Sequence, residues 1–438
     1  MRSHSLPQLV RKEWRELAAA RAYWLLLVIT GPLVGHSFIT AVDLYAEASG
    51  AGGGPAALPQ GLTPLDGLLV PTFGAYYLAV TLLFPFVAIR LIAAEKESGA
   101  LKLLLQFPAS LGATLTAKGL VLVAGWLVAW VPGLVALLLW KSYGGHLYGP
   151  ETLNLLLGHL LHMALSGGVA VAAATLAESA ASAAIVTLSF TLGTWALDFI
   201  AAGRGGWLQE LALYTPTAAL RVFEQGLIRL STVIVILALS VGGFALAAIW
   251  LRAGRGWRYR AVATSALVLV LAAVVIVGAR VRWSMDVSEN RRNSFSAADE
   301  AALSQIREPL KVTAYLSPED PRLTDLERSI LGKLRRVLPR VDVDYAATSI
   351  TGLFEDAEDH YGEIWYEMGG RKAMNRSTVE EIVLEQIYEL AGTPAPERAE
   401  EEDAFAGYPL AARPAGASWI FYAAWPLATA LCWWLIRK

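Results

Sequence analysis

Eight stretches of this 438-residue chain run for 18 residues or more without a single Asp, Glu, Lys or Arg: about 22–42, 68–89, 119–140, 152–176, 180–197, 231–251, 261–279 and 415–436. A bilayer hydrocarbon core about 30 Å thick needs about 20 apolar residues as helix. One charged side chain at its centre costs about 2.5–3.5 kcal/mol on the insertion scale. Charge-free runs of this length therefore predict a membrane all-α fold with eight transmembrane helices. Composition agrees: 55% of residues are hydrophobic, 17% are charged, and the mean hydropathy is +0.46. Span five is the shortest, with Asp198 just past its end.

The charges are segregated. From Arg280 to Pro414 there are 17 basic and 26 acidic residues, a net of −9, while the remainder holds 19 basic and 12 acidic residues, a net of +7. An acidic, water-seeking block is thus set between spans seven and eight. Cys432, the single cysteine, excludes an intramolecular disulfide, a CxxC redox pair and a zinc finger. The N-terminal charges run up to a full-length apolar stretch, which does not read as a cleaved signal peptide.

Short-loop charge sets an orientation. Arg2, Arg11, Lys12, Arg15 and Arg21 precede span one; Lys96, Lys102 and Lys118 lie between spans two and three. Arg252, Arg255, Arg258 and Arg260 fill the turn after span six, and Arg437 and Lys438 end the chain. With eight spans all four segments fall on one side, which the positive-inside rule makes cytoplasmic. Both termini are then inside and the acidic block outside, in the periplasm of a double-membrane bacterium. Trp24, Trp140, Tyr143, Trp250, Trp419, Trp433 and Trp434 suit interfacial belts.

Residues 5–20 place Leu6, Leu9, Val10, Trp14 and Leu17 at helical spacing with charges between, an amphipathic helix on the cytoplasmic surface. After span two, Ala93 to Pro108 reads as a charged turn, a glycine, a Leu-rich helical turn and a proline break; Lys118 precedes span three. Such a short helix can dock on a soluble partner while tied rigidly to two spans. This segment resembles the E-x-E-x-G-x-L-x-x-L-x-x-x-P...K signature of type-2 ABC transporter permeases, with Glu95, Glu97, Gly99, Leu101, Leu104, Pro108 and Lys118 at the matching positions. In that family it is the coupling helix against the ATPase. Residues 202–230 resemble the re-entrant helices that the family places before its last core span, with Tyr214, Pro216, Phe223 and Gly226 as an outer gate.

The chain contains no G-x-x-x-x-G-K-[ST] phosphate loop. The resemblance therefore implies cytoplasmic ABC ATPase subunits as separate partners. ATP and Mg would be held there and no cofactor here. It also implies a second permease copy or a related permease, and no nucleic acid.

In the outer block the patterns predict a helix over 296–307, strands at 310–316 and 341–345, and a helix over 322–337. A hairpin turning at Gly369-Gly370 and a helix over 378–391 follow. The order β-α-β-β-β-α implies a small α/β domain, thioredoxin-like without redox cysteines. The run Asn290 to Ser296, the strand Pro309 to Ser317 and the Thr378-to-Leu390 helix resemble the soluble region of gliding-motility (GldG-like) auxiliary ABC components. Here that region is truncated: Thr393-Pro394-Ala395-Pro396 and the acidic run Glu400 to Asp403 read as linker. A periplasmic protein is the expected partner of this domain.

The expected division is a surface helix (1–21), a six-span core (22–255), a seventh span (256–283), the outer domain (284–392), a linker (393–414) and an eighth span (415–438). The function expected is that of a permease subunit in the bacterial inner membrane, exporting a substrate or transmitting force outward. The competing class is a membrane-tethered binding or assembly scaffold that moves nothing. An intramembrane enzyme is disfavoured by the absence of Asp, Glu and Lys from every apolar stretch.

Isolated polar residues weigh less. His159 and His162, three apart in span four, are expected as helix–helix hydrogen-bond partners or polar pore lining rather than metal ligands. His36 is read the same way. Glu178 is read as cytoplasmic, with contact to the ATPase partner as the lesser alternative, and Asp198 as an interfacial end residue. The Gly- and Ala-rich run 166–184 predicts close helix packing. The pairs Asp342 with Asp344 and Glu355 with Asp356 read as solvated surface.

Overall fold

The structure is a computed structural model that describes residues 6–50, 63–101, 111–201, 206–317, 320–346, 360–396, 408–410 and 414–437. Among the described residues, eight helices are long and apolar enough to cross a membrane. They are Arg21–Ala48, Leu65–Glu97, Leu111–Ser142, Gly149–Leu176, Ala180–Ala201, Leu230–Trp250, Trp257–Ala279 and Ala417–Arg437, numbered here as spans one to eight. Most begin or end beyond their charge-free stretches. Span two runs on through the segment expected as a charged turn, to Glu97. Span three starts at Leu111, so Lys118 lies inside a helix rather than ahead of one. Spans two and three are interrupted at Leu83 and Trp130, each two residues before a proline. Pro85 and Pro132 each lack a backbone donor, and their rings crowd the preceding turn.

The chain divides into two compact units. The first comprises Met1–Gly193, Leu230–Val281 and Phe405–Lys438, and the second Thr194–Arg229 and Arg282–Ala404. Of the described residues, 194–201 and 206–229, which the sequence groups with the six-span core, fall in the second unit, and 408–410 and 414, which it groups with the linker, fall in the first.

In the first unit, glycines set the closest helix approaches. A side chain at Gly168 in span four would sit 2.6 Å from the Ser240 carbonyl oxygen of span six, and one at Gly243 would strike the Gly168 backbone. Gly31 and Gly35 of span one receive the side chains of Trp425 and Phe421 of span eight. Trp425 Nε1 donates to the Leu27 carbonyl at 2.6 Å. A Gly-x-x-x-Gly pair here seats two aromatic rings rather than another backbone. Gly35→Leu is therefore expected to lower detergent-phase stability by about 1–3 kcal/mol and to expose the C-terminal helix to protease. Gly74→Ala, with open space at its Cβ position, leaves both unchanged. Equal melting and digestion of the two variants would show that span eight is not held this way.

The second unit opens with α2 (Gly206–Ala212) and α3 (Pro216–Glu224), then β1 (Leu227–Arg229). It continues with β2 (Ser284–Asp286), α4 (Ala297–Leu303), β3 (Leu310–Ala314), a helical run over 321–337, β4 (Val341–Tyr345), β5 (Ile364–Met368), β6 (Arg371–Asn375) and α5 (Glu380–Ala391). β3 to β6 form one sheet in the order β4-β3-β5-β6, with β3 parallel to β4 and antiparallel to β5. Leu310, Val312, Ala314, Ile364, Tyr366 and Met368 alternate into a core shared with Leu326, Ile330 and Leu334 of the 321–337 helix and Val383, Leu384 and Ile387 of α5. The other face carries Lys311, Asp344, Glu367 and Lys372, paired as Lys311–Asp344 at 3.0 Å and Lys372–Glu367 at 3.1 Å. That alternation is why the strands were legible as strands.

Asp320 caps the 321–337 helix: its carboxylate accepts the Arg322 backbone N–H at 3.0 Å, the Arg322 guanidinium at 2.8 Å and the Tyr361 hydroxyl at 2.9 Å. The Arg322 side chain leads in holding its pKa near 2, with burial opposing and the backbone N–H and Tyr361 assisting. A depressed carboxylate stabilises the fold above its unfolded pKa of about 4 and loses that contribution as pH falls toward 2. Hydrogen exchange over 320–337 in the intact chain should therefore be slower in wild type than in Asp320→Asn at pH 6. The two should converge between pH 4 and 2. A constant gap down to pH 2 would remove Asp320 as the cause.

Candidate functional site: a buried charge quartet

The surface helix α1 (Leu6–Ala19) buries Leu9, Glu13 and Leu17. Glu13 is a charged residue on an otherwise apolar inward stripe, so partners are required. Lys118 of span three supplies one, its Nζ 2.7 Å from Glu13 Oε2, 3.0 Å from Glu95 Oε2 and 2.8 Å from the Leu91 carbonyl. Lys12 supplies the other, 2.6 Å from Glu95 Oε1 and 3.0 Å from Glu13 Oε1. Side-chain exposure is 0% for Glu13, 2% for Lys118 and 7% for Glu95, so three of the four charges are out of water. Two carboxylates and two ammoniums form a neutral set that joins α1, the end of span two and the start of span three.

Electrostatics at the edge of the set follow from burial. Desolvation alone would lower the Lys12 pKa, but hydrogen bonding to Glu95 and the charges of Glu13 and Glu95 outweigh it and raise it. Glu16, 3.1 Å from Lys12, is pushed upward first by burial and then by Glu13. Oxygens of Glu13, Glu16 and Glu95 lie within 4.8 Å of one another, a cation-like geometry. The lysine ammoniums supply that positive charge. A cleft of about 260 Å³ opens beside the set, lined by Glu16, Leu17, Arg90, Leu91, Glu95 and Ser98 among others.

Of the residues singled out from sequence, the structure brings Glu95 and Lys118 into direct contact. Glu97 is exposed and accepts the Ala180 N–H at 3.4 Å, at the start of span five. Gly99 takes φ +75°, the left-handed conformation that ends a helix. Leu101 is half-buried at the start of the next turn. Leu104 and Pro108 lie outside the described residues. Lys96, credited in sequence only to loop charge, donates to the carbonyls of Thr175 at 3.0 Å and Ala177 at 2.5 Å. It thereby covers the C-terminal end of span four. Glu178 is exposed two residues further on.

Sequence reasoning missed Glu13 and Lys12 as site residues. The available signal was Glu13 lying on the buried side of the amphipathic pattern. With Glu95 and Lys118 inside helices, the membrane-length helices are not free of Asp, Glu and Lys, unlike the apolar stretches that predicted them.

The outer-gate candidates belong to the second unit. Thr215 caps α3, accepting the Ala218 N–H at 3.2 Å while its hydroxyl donates to Asp198 at 2.6 Å. Pro216 is the first residue of α3, Phe223 is fully buried and Tyr214 is half-buried. The end of the stretch expected as re-entrant helices over 202–230 instead leaves the helix at Gly226, with φ +80°, and becomes strand β1. β1 pairs antiparallel with β2, Leu227 opposite Asp286 and Arg229 opposite Ser284. A partner strand 55 or more residues downstream is what overrides the helix. Asp286 fastens the ribbon: it accepts from Ser288 N and Oγ, the Asn293 N–H and Ser294 Oγ at 2.6–3.0 Å. Asn293 in turn donates to the Gln225 carbonyl at 2.7 Å.

His159 does not make the helix–helix hydrogen bonds expected of it. It is fully buried against Phe73, ring centroids 5.7 Å apart, and neither nitrogen has a partner among the described residues. His162 packs on Tyr77 at 5.2 Å. Asp342 pairs with Arg340 at 2.9 Å and Asp344 with Lys311, as solvated surface should; Glu355 and Asp356 lie outside the described residues. No protein-family model, no curated protein and no solved structure matches this chain.

Proposed function

We propose that this chain is the membrane-spanning permease subunit of a type-2 ABC transporter, driven by ATPase subunits on separate polypeptides. The observation that carries the reading is the quartet Lys12–Glu13–Glu95–Lys118. It locks the surface helix to the segment whose sequence resembles the family's coupling signature, so a push on that segment reaches α1, span two and span three together. Exposed Glu97 and the adjacent cleft offer a soluble partner its footing. On this reading the termini and the quartet are cytoplasmic, the membrane is a bacterial inner membrane, and the domain between spans seven and eight is periplasmic. The sheet order β4-β3-β5-β6 with one parallel pair supports a thioredoxin-like, GldG-like assignment for that domain. A second permease copy or a relative completes the assembly.

Within the second unit, residues 225–229 are hydrogen-bonded to the inserted domain through β1, β2 and Asn293.

Co-purification of the chain with a co-expressed ATPase, followed by an ATPase assay, tests the reading. Glu97→Arg should reduce capture and the stimulated hydrolysis. Equal binding and equal activity of wild type and variant would remove the coupling assignment. Failure to capture any ATPase would favour the scaffold alternative.

A further inference from the structure

The inserted block is acidic overall, yet one place in the second unit gathers arginines. β1 ends at Arg229, the last residue before span six, opposite Ser284 of β2. Two residues ahead of Ser284, Arg282 donates to the Pro339 carbonyl, which brings the C-terminal end of the 321–337 helix against the ribbon. That end carries Arg335 and Arg336. Burial lowers the pKa of Arg229, and the charge of Arg335 lowers it further; burial and then Arg229 do the same to Arg336. Arg292, near Arg328, is pushed down to about 10 by burial and then by that neighbour.

The acids within electrostatic reach of Arg336 are Asp286 and Glu300. Asp286 already accepts the hydrogen bonds that fasten the ribbon. Glu300 faces Arg291 at 3.9 Å. Arg229 Nε and Arg336 Nη2 are shielded from solvent with no partner among the described residues. A guanidinium does not discharge at physiological pH, and leaving its buried N–H groups unmade costs free energy. Planar, multidentate donors of this kind match phosphate oxygens. Arg229 immediately precedes Leu230, the first residue of a membrane-length apolar helix, and the end of a helix that spans a bilayer lies at the depth of the lipid headgroups.

We propose that Arg229, Arg335 and Arg336, flanked by Arg292 and Arg328, form a binding site for a phosphate group, filled by the headgroup of an anionic phospholipid. The site does not depend on the ATPase reading. Occupied, it anchors the ribbon to the membrane at the root of span six.

Native mass spectrometry and melting of the full chain in neutral detergent test this, with phosphatidylglycerol, phosphatidylcholine and inorganic phosphate as probes. Phosphatidylglycerol is expected to bind and to raise the Tm, phosphatidylcholine to do neither, and millimolar phosphate to compete. Arg229→Gln with Arg336→Gln should weaken phosphatidylglycerol binding roughly tenfold or more. In detergent alone that double variant should melt no lower than wild type, because it relieves like-charge repulsion and removes two buried donors that have no partner among the described residues. Arg336→Lys should retain part of the preference. Four results would overturn the proposal: equal binding of the two lipids, an undiminished preference in the double variant, a lower detergent Tm for that variant, or binding of free phosphate without phosphatidylglycerol, which would assign the site to a soluble anion.

Discussion

Lys118→Met lowers the stability of the folded chain in detergent by about 3–5 kcal/mol, the range for removing one partner of a buried ion pair. Lys118 is 2% exposed and touches both Glu13 and Glu95. Methionine keeps most of the volume, so the loss is electrostatic: two carboxylates out of water would share the single ammonium of Lys12. Glu95→Gln added to Lys118→Met restores neutrality, leaving Glu13 opposite Lys12, and should recover most of the loss. The double-mutant cycle then reports a coupling of about 2 kcal/mol or more, at the upper end of the range for side chains in contact. A coupling near zero would mean that the two side chains act independently and that the quartet is not a unit. On the functional reading, the double variant separates the two roles of the set: it should melt near wild type yet transmit less ATPase stimulation, because one charge link between α1 and span two is gone.

Gly243→Leu abolishes the close crossing of spans four and six and should leave little monodisperse protein. Its new side chain meets the Gly168 backbone, and a side chain at Gly168 would meet the Ser240 carbonyl at 2.6 Å. Neither obstacle is a flexible side-chain tip, so the helices themselves must separate. Overpacking of ordinary cores costs about 1–3 kcal/mol; a backbone-to-backbone contact should exceed that range. Gly167→Ala is the control, since its Cβ would make an ordinary 3.5 Å contact with Phe84. A Gly243→Leu variant that melts within a degree of Gly167→Ala would show that the crossing is not tight.

The two expectations differ in how far sequence alone could reach them. The run 166–184 announced small-residue packing, and Gly168 does provide it, but Gly243 lies outside that run and became visible only with spans four and six side by side. The coupling segment was similar: Glu95 and Lys118 stood out from spacing, whereas Glu13 is 105 positions from Lys118 in the chain. Its one local signal was a carboxylate on the buried stripe of α1. Arg229, Arg335 and Arg336 gave no signal, because their crowding depends on β1 pairing with β2 and on Pro339 reaching Arg282.

What the sequence determined by itself is the set of eight membrane-length helices and the alternating strands of the inserted domain. Both follow from local rules: a charge in hydrocarbon is costly wherever it sits, and side chains on a strand alternate every two residues. Tertiary structure decided where helix gives way to strand at Gly226, which buried charges neutralise one another, and that 194–229 belongs with the inserted domain rather than with the first unit. Those outcomes depend on partners brought together across tens to hundreds of residues. Pairing energy of that kind is absent from any local window, so neither periodicity nor composition could have contained it.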